Sequence, residues 1–157
     1  MTKRTTKIIS GTLGIGVLIA LGVAYYMFNL PHRDVQAAQI DFRLSSTEIV
    51  NQYLADAPSA NDKYLQEGGD SKILAITGKI FSIREDLNHQ KVVLLKNAKE
   101  HAGVSCTFTK VAGVRVENLD IGQTITVKGV IRSGAGYDED LGLYEDVILE
   151  KCDVIEE

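Results

Sequence analysis

Cys106 and Cys152 are the side chains in this 157-residue chain with the most chemistry to offer. An even cysteine count suits one disulfide in an oxidising compartment. Both also sit in apolar settings, Val104-Ser105-Cys106-Thr107-Phe108 and Val147-Ile148-Leu149-Glu150-Lys151-Cys152. Two buried free thiols therefore stand as the other reading, because cysteine is among the most buried residue types. No Cys-x-x-Cys occurs, so thioredoxin-like catalysis has no support. His32, His89 and His101 lie at no metal-ligand spacing from one another or from a cysteine. Ser105 adjoins Cys106, but neighbours on a strand point to opposite faces, and neither has a base nearby in sequence. No catalytic constellation results, and the chain reads as a non-enzyme with no cofactor and no metal.

The elements that must position these residues follow from hydrophobic period. Ser45 stands three residues before Glu48, a capping-box spacing, and Ile49, Val50, Tyr53, Leu54 and Ala57 then form one apolar helical face of about three turns. Pro58 limits that helix. Residues 59–65 are expected to add a short turn with Tyr64 and Leu65 inward, and residues 66–70 a loop. Five strands are expected beyond, near residues 73–83, 91–96, 103–109, 123–132 and 144–155. Between them, 84–90 reads as a turn, 111–122 as irregular and 133–142 as a Gly- and Asp-rich loop. Five strands with no helix repeating between them suggest a small antiparallel barrel. Ile76-Thr77-Gly78-Lys79-Ile80 and Val127-Lys128-Gly129-Val130-Ile131 are near copies on the first and fourth strands, which must pair and bend to close such a barrel.

Ile8 to Phe28 is a run of 21 residues without a charge. At about 1.5 Å per helical residue it covers roughly 30 Å, one bilayer core. It exceeds the apolar region of a cleaved signal, about 7–15 residues. The nearest small-x-small site, Val35-Gln36-Ala37, lies beyond the polar His32-Arg33-Asp34. No cysteine follows the run closely enough for lipid attachment. Residues 8–28 thus read as an uncleaved transmembrane helix after a basic leader, 1–7, with 29–45 a stalk and 46–157 the working domain. Lys3, Arg4 and Lys7 precede the run, so the positive-inside rule puts the N-terminus in the cytoplasm. The C-terminal domain then lies in the periplasm or outside the cell, on a single-pass anchor in the cell membrane. Thr12, Gly16, Ala20 and Ala24 form a stripe at four-residue spacing on which two copies can approach as a homodimer, although small residues are common in membrane helices generally.

All 21 acidic residues follow Pro31, and three of the 17 basic residues precede it. The part beyond Pro31 therefore sets 14 basic against 21 acidic residues, a formal charge of −7. Such a domain repels phosphate backbones, and the chain has no Trp and no basic stripe, which argues against a nucleic-acid partner.

Asp62-Lys63-Tyr64-Leu65, Ile76-Thr77-Gly78-Lys79-Ile80, Val104-Ser105-Cys106-Thr107-Phe108, Ile125-Thr126-Val127-Lys128-Gly129 and Asp146-Val147-Ile148-Leu149 follow one another in order. In that order and spacing the chain resembles the tRNA_anti-like family, small OB-fold domains of exported and membrane-anchored bacterial proteins. The resemblance spans roughly residues 46–155. It implies a mainly β domain, a five-stranded OB-fold barrel, here preceded by a short α-helix and the transmembrane helix. It implies a likeness to anticodon-binding domains without carrying over tRNA binding, because fold does not transmit function. OB-folds bind on the face of strands two and three, between the loops after strands one and four. Those loops hold Glu85, Asp86 and His89, and Tyr137, Asp138, Glu139 and Asp140. They are expected to share one partner-binding pole, suited to a cationic protein. A solvated acidic loop is the plain alternative, and the Asp-Glu-Asp run lacks EF-hand spacing for Ca²⁺. The third and fifth strands of such a barrel are neighbours, so Cys106 and Cys152 are expected side by side. Two roles stay open: a binding module for a protein or envelope component, or a structural subunit of a membrane assembly held through its transmembrane helix.

The mature protein is expected to keep residues 1–28 and to stay with the membrane at high salt and at alkaline pH. N-terminal sequencing that starts near Ala38 would contradict this.

Overall fold

The computed structural model describes residues 16–27, 34–66 and 71–155. Residues 16–27 are helical, and the chain divides after Arg33 into two units. Among the described residues no helix is long and apolar enough to cross a membrane. The expected span extends beyond them: residues 8–15 and Phe28 lie outside, and with them Thr12 of the small-residue stripe. Gly16, Ala20 and Ala24 lie on the helical stretch.

In the second unit, β1 (Phe42–Ser45) leads into α1 (Ser46–Ala55) and α2 (Ala57–Tyr64). The Ser45 hydroxyl accepts a hydrogen bond from Glu48 N at 3.1 Å, capping α1 as its spacing predicts. Asp56 ends α1 and caps α2 by accepting from Ser59 N at 3.1 Å, with Pro58 in the first turn where its missing N–H costs nothing. The short turn expected after Pro58 is therefore a two-turn helix with Tyr64 buried. Residues 67–70 of the expected loop lie outside the described residues.

The barrel strands are β2 (Ile73–Glu85), β3 (Lys91–Leu95), β4 (Val104–Phe108), β5 (Thr124–Ser133) and β8 (Val147–Ile155). They pair in the order β2-β3-β4-β8-β5, and β5 returns to β2 to close the ring. The β4–β8 pairing is parallel and the others are antiparallel. This is the OB arrangement. Leu74, Ile76, Val93, Leu95, Cys106, Phe108, Val127, Ile131 and Leu149 fill the interior. At Gly78 the N-terminus of α1 lies so close that a Cβ would sit 2.7 Å from Ser46 Oγ.

Three expectations are corrected. Residues 34–45 are a strap on the barrel rather than a stalk. β1 runs parallel to β2 from Phe42↔Leu74 to Ser45↔Thr77, covering an edge that β2 would otherwise leave unpaired. Upstream, Val35 packs with Ile73 and Val130 in a small apolar cluster outside the main core. The Lys128 ammonium donates to the carbonyls of Gln36 and Ala38 at 2.7 and 2.6 Å. Second, the stretch expected to be irregular holds α3 (Lys110–Val116), capped by Thr109 Oγ1 accepting from Ala112 N, with Ala112 and Val116 buried. Third, the loop after β5 holds a hairpin of β6 (Gly136–Asp138) and β7 (Leu143–Glu145).

Lys128→Met removes the ammonium that donates to the Gln36 and Ala38 carbonyls, a loss of about 1–3 kcal/mol. Amides of residues 34–38 are expected to exchange faster with solvent deuterium while barrel amides stay protected. Unchanged exchange there would show that the strap does not depend on Lys128.

Candidate functional site

The two acidic loops do not share a pole. β2 and β5 are antiparallel, so the loop after β2 leaves one end of the barrel and the loop after β5 leaves the other. The register shows the separation. Lys91 lies opposite Glu85 at the start of β3, whereas Leu95 at its end lies opposite Val104, which in turn pairs with Val147 just beyond the hairpin. Four residue steps at about 3.3 Å put roughly 13 Å between them.

At the first end, Glu85, Asp86 and His89 hold their own turn together. Glu85 meets His89 Nδ1 at 2.7 Å and Lys91 Nζ at 3.1 Å. The hydrogen bond from His89, then that from Lys91, lowers the Glu85 pKa. Asp86 accepts from the amides of Asn88 and Gln90, each at 2.8 Å, and His89 takes a left-handed φ of 58°. These acids are committed to a tight turn.

At the second end, a row of rings faces solvent. Tyr137 and Tyr144 lie opposite each other in the β6–β7 hairpin, 4.8 Å apart between centroids. The His101 ring stacks on Tyr144 at 4.9 Å and 19°. Tyr137 is 53% exposed and Tyr144 43%, with Leu141 and Leu143 exposed beside them. Residues 133–147 contain five acids, Asp138, Glu139, Asp140, Glu145 and Asp146, and no base. Asp138 is used locally, accepting from the amides of Asp140 and Leu141 at 2.9 Å. Glu139, Asp140 and Glu145 are exposed on the same hairpin.

The scaffold behind the row is tied on three sides. Gly103 N donates to Asp146 Oδ1 at 2.7 Å, and Val147 N donates to Gly103 O at 3.0 Å, joining the two loops. Glu100 Oε2 accepts from Asn97 N at 2.7 Å, and Thr47 Oγ1 donates to Glu100 Oε1, fixing the backbone beside His101 to α1. Burial opposes ionisation of Glu100, but the hydrogen bonds from Thr47 and Asn97 outweigh it and lower its pKa. Gly134, at the root of the hairpin, lies flat on Tyr53, where any Cβ would overlap the ring at 2.0 Å. Burial first, and neighbouring Tyr64 second, push the Tyr53 phenol up to about 12.

The outer side of β3 and β4, the usual binding face of this fold, carries Val92 and Leu94, both buried, with half-buried Ser105 and Thr107, and neither strand sets an aromatic ring there. Cys106 and Cys152 are buried free thiols. Among the described residues no group of three His, Cys, Asp or Glu side chains is placed to hold a metal ion. What the second end can do is attract a cation: its π faces draw one, and the acidic hairpin adds negative charge. Tyr137 and Asp138–Asp140 were legible as candidates. Tyr144 and His101 were not, although Tyr137 and Tyr144 flank the Asp138–Leu143 turn symmetrically, a spacing that marks a hairpin pair.

Closure of five strands with helices against them defines a small OB-type domain. The chain belongs to the tRNA_anti-like family, which matches residues 1–143. The chain is similar to the crystal structure of a candidate nucleic acid-binding lipoprotein from Klebsiella pneumoniae, with 19% identity and a TM-score of 0.52 over 81% of this chain and 100% of that one. At that identity the likeness shows the fold. Weaker likenesses extend to the asparaginyl-tRNA synthetase of Entamoeba histolytica, with 18% identity and a TM-score of 0.38 over 58% of this chain and 22% of that one. They extend also to RecG bound to a three-way DNA junction, with 16% identity and a TM-score of 0.33 over 54% of this chain and 11% of that one. No curated protein matches the chain.

Because the Tyr53 pKa is raised on folding, the neutral phenol favours the folded state, fully below about pH 10 and progressively less as pH rises to about 12. Ultraviolet titration is expected to show Tyr53 ionising near pH 12, with loosening of the 134–146 hairpin over the same range. A Tyr53→Phe variant whose titration curve keeps that late step would contradict the burial of Tyr53.

Proposed function

We propose that this protein is a membrane-anchored binding module whose OB domain faces the periplasm or cell exterior and takes a cationic protein segment on the Tyr137–Tyr144–His101 row. The single observation that carries this reading is an exposed pair of tyrosine rings, with His101 stacked on one of them from a second loop, in a hairpin stretch with five acids and no base. Exposed apolar side chains grouped this way mark interaction surfaces. Arginine suits the site best, since its guanidinium stacks on rings and pairs with carboxylates in one plane.

Anchoring is supported by the uncharged run from Ile8 to Phe28 behind Lys3, Arg4 and Lys7, and by a family match that includes this segment. The Klebsiella pneumoniae relative is described as a lipoprotein; the present chain has no cysteine before Cys106, so an apolar helix would take the place of a lipid. That relative's description also mentions nucleic acid. Here a charge of −7 beyond Pro31, the acids of the hairpin and β3 and β4 strands without an outward ring oppose such a ligand. The role proposed is binding rather than catalysis.

The test uses full-length protein in lipid nanodiscs and fluorescence anisotropy of three labelled probes: an arginine-rich peptide, a glutamate-rich peptide and a single-stranded oligonucleotide. The arginine-rich peptide alone is expected to bind, more weakly as salt rises. Tyr137→Ala with Tyr144→Ala is expected to weaken it about tenfold, the scale of two exposed cation–π contacts. Micromolar binding of the oligonucleotide, or peptide binding indifferent to the loss of both rings, would overturn the reading.

A further inference from the structure

The end of the barrel away from the hairpin exposes aliphatic side chains that the cation surface does not use. Leu87, at the tip of the 86–90 turn, is fully exposed. Val111 and Val114, 82% and 63% exposed, lie three residues apart on the outward side of α3, while Ala112, Gly113 and Val116 turn inward. Valine forms helix less readily than the lysine, glutamate or glutamine that a water-facing position would take. Turn and helix abut. The Gln90 side-chain amide donates to Phe108 O at 3.1 Å, and a Cβ on Gly113 would lie 3.5 Å from Lys91 Cγ. Lys110 and Arg115, both exposed, flank the two valines, and residues 109–116 hold no acid. Arg115 also pairs with Asp153 at 2.7 Å, and Glu117, just beyond the helix, reaches Lys91 at 3.8 Å.

The chain enters the domain at this same end. Asp34 Oδ1 accepts from Gln36 N and Ala37 N at 3.0 and 3.1 Å, which shapes the start of the strap. Gln36 Nε2 then donates to Lys151 O at 2.6 Å. Lys151 adjoins Cys152, whose carbonyl accepts from the amide of Thr109, the cap of α3, at 3.3 Å. Asn88, Gln90, Thr109 and Lys151 line one cleft. The point of entry is therefore fixed beside α3 and the 86–90 turn. In sequence, five residues, 29–33, separate Asp34 from Phe28, where the uncharged run ends. Six Cα steps reach at most roughly 22 Å, and headgroups occupy about 5–8 Å on each side of the hydrocarbon core.

We infer that this end of the domain docks on the lipid bilayer, with Leu87, Val111 and Val114 in the boundary between headgroups and acyl chains and Lys110 and Arg115 at the lipid phosphates. The inference rests on the proposed anchor at residues 8–28. A tether that short keeps the entry end near the headgroups, and the aliphatic side chains there gain by leaving water. Basic side chains beside them extend to anionic phosphates. The hairpin also exposes Leu141 and Leu143, but it lies at the other end, and its five acids without a base are repelled by anionic headgroups. Docked in this way, the domain turns Tyr137 and Tyr144 away from the membrane, toward a partner arriving from solution.

The test places full-length protein, one copy per disc, in nanodiscs of phosphatidylcholine and phosphatidylglycerol that carry a gadolinium-chelating lipid, and reads paramagnetic broadening of backbone amides. Amides of residues 86–88 and 110–115 are expected to broaden, and those of 137–144 to stay sharp. Broadening at the hairpin with α3 sharp, or no broadening at either end, would overturn the docking. Val111→Ser with Val114→Ser alters two exposed positions and leaves the barrel core untouched. In that variant the selective broadening is expected to be lost, both ends broadening alike as the domain tumbles on its tether. A pattern unchanged by the double substitution would show that the tether alone sets the orientation and would overturn the docking too. Anchor and docking fail differently: protein that does not migrate with the discs defeats both, whereas protein held in the discs with α3 silent defeats the docking alone.

Discussion

Seven residue pairs between β2 and β5, from Ile73↔Val130 to Lys79↔Thr124, turn an open sheet into a barrel, and the other features of the domain answer to that closure. β2 is long enough to pair with β5 through its first half and with β3 through its second. The free side of its first half is then covered by β1, which draws residues 34–45 onto the barrel. The strap is fastened by Lys128, a β5 side chain that donates to the carbonyls of Gln36 and Ala38. Because β2 and β5 are antiparallel, closure also sends the two acidic loops to opposite ends.

That separation decides which acids are available to a partner. Near Gln90 and α3, Glu85 and Asp86 spend their oxygens on their own turn. Near α1, the 96–103 and 134–146 loops are bound to each other, Gly134 lies on Tyr53, and Glu139, Asp140 and Glu145 stay exposed on the hairpin that carries Tyr137 and Tyr144. The first cluster is architecture. The second is the end proposed to take a cation, in a domain whose overall charge attracts the same class of ligand.

Much of the fold is legible in the chain because its determinants are local. Ser45 and Glu48 announce α1, alternation at Val104, Cys106 and Phe108 announces β4, and the repeated glycine pentapeptides identify the two strands that close the ring. β1 is hidden because its four residues alternate only against a neighbour that is supplied by tertiary structure. α3 is hidden because seven residues interrupted by Gly113 give too few turns for a period. The site is legible in part for a related reason. Tyr137 and the Asp-Glu-Asp run lie in one loop, but His101 reaches Tyr144 from a separate loop, and nothing within either loop encodes their stacking.

The central claim, that ligand chemistry resides at the hairpin end of the barrel, is tested most directly by a backbone-amide NMR footprint of the full-length protein in nanodiscs with an arginine-rich peptide. The account predicts shifts concentrated at residues 100–103 and 136–146, with residues 86–90 and the β3–β4 face at Val92, Leu94, Ser105 and Thr107 unmoved. Shifts centred on that face or on the 86–90 turn, with the hairpin silent, would contradict it.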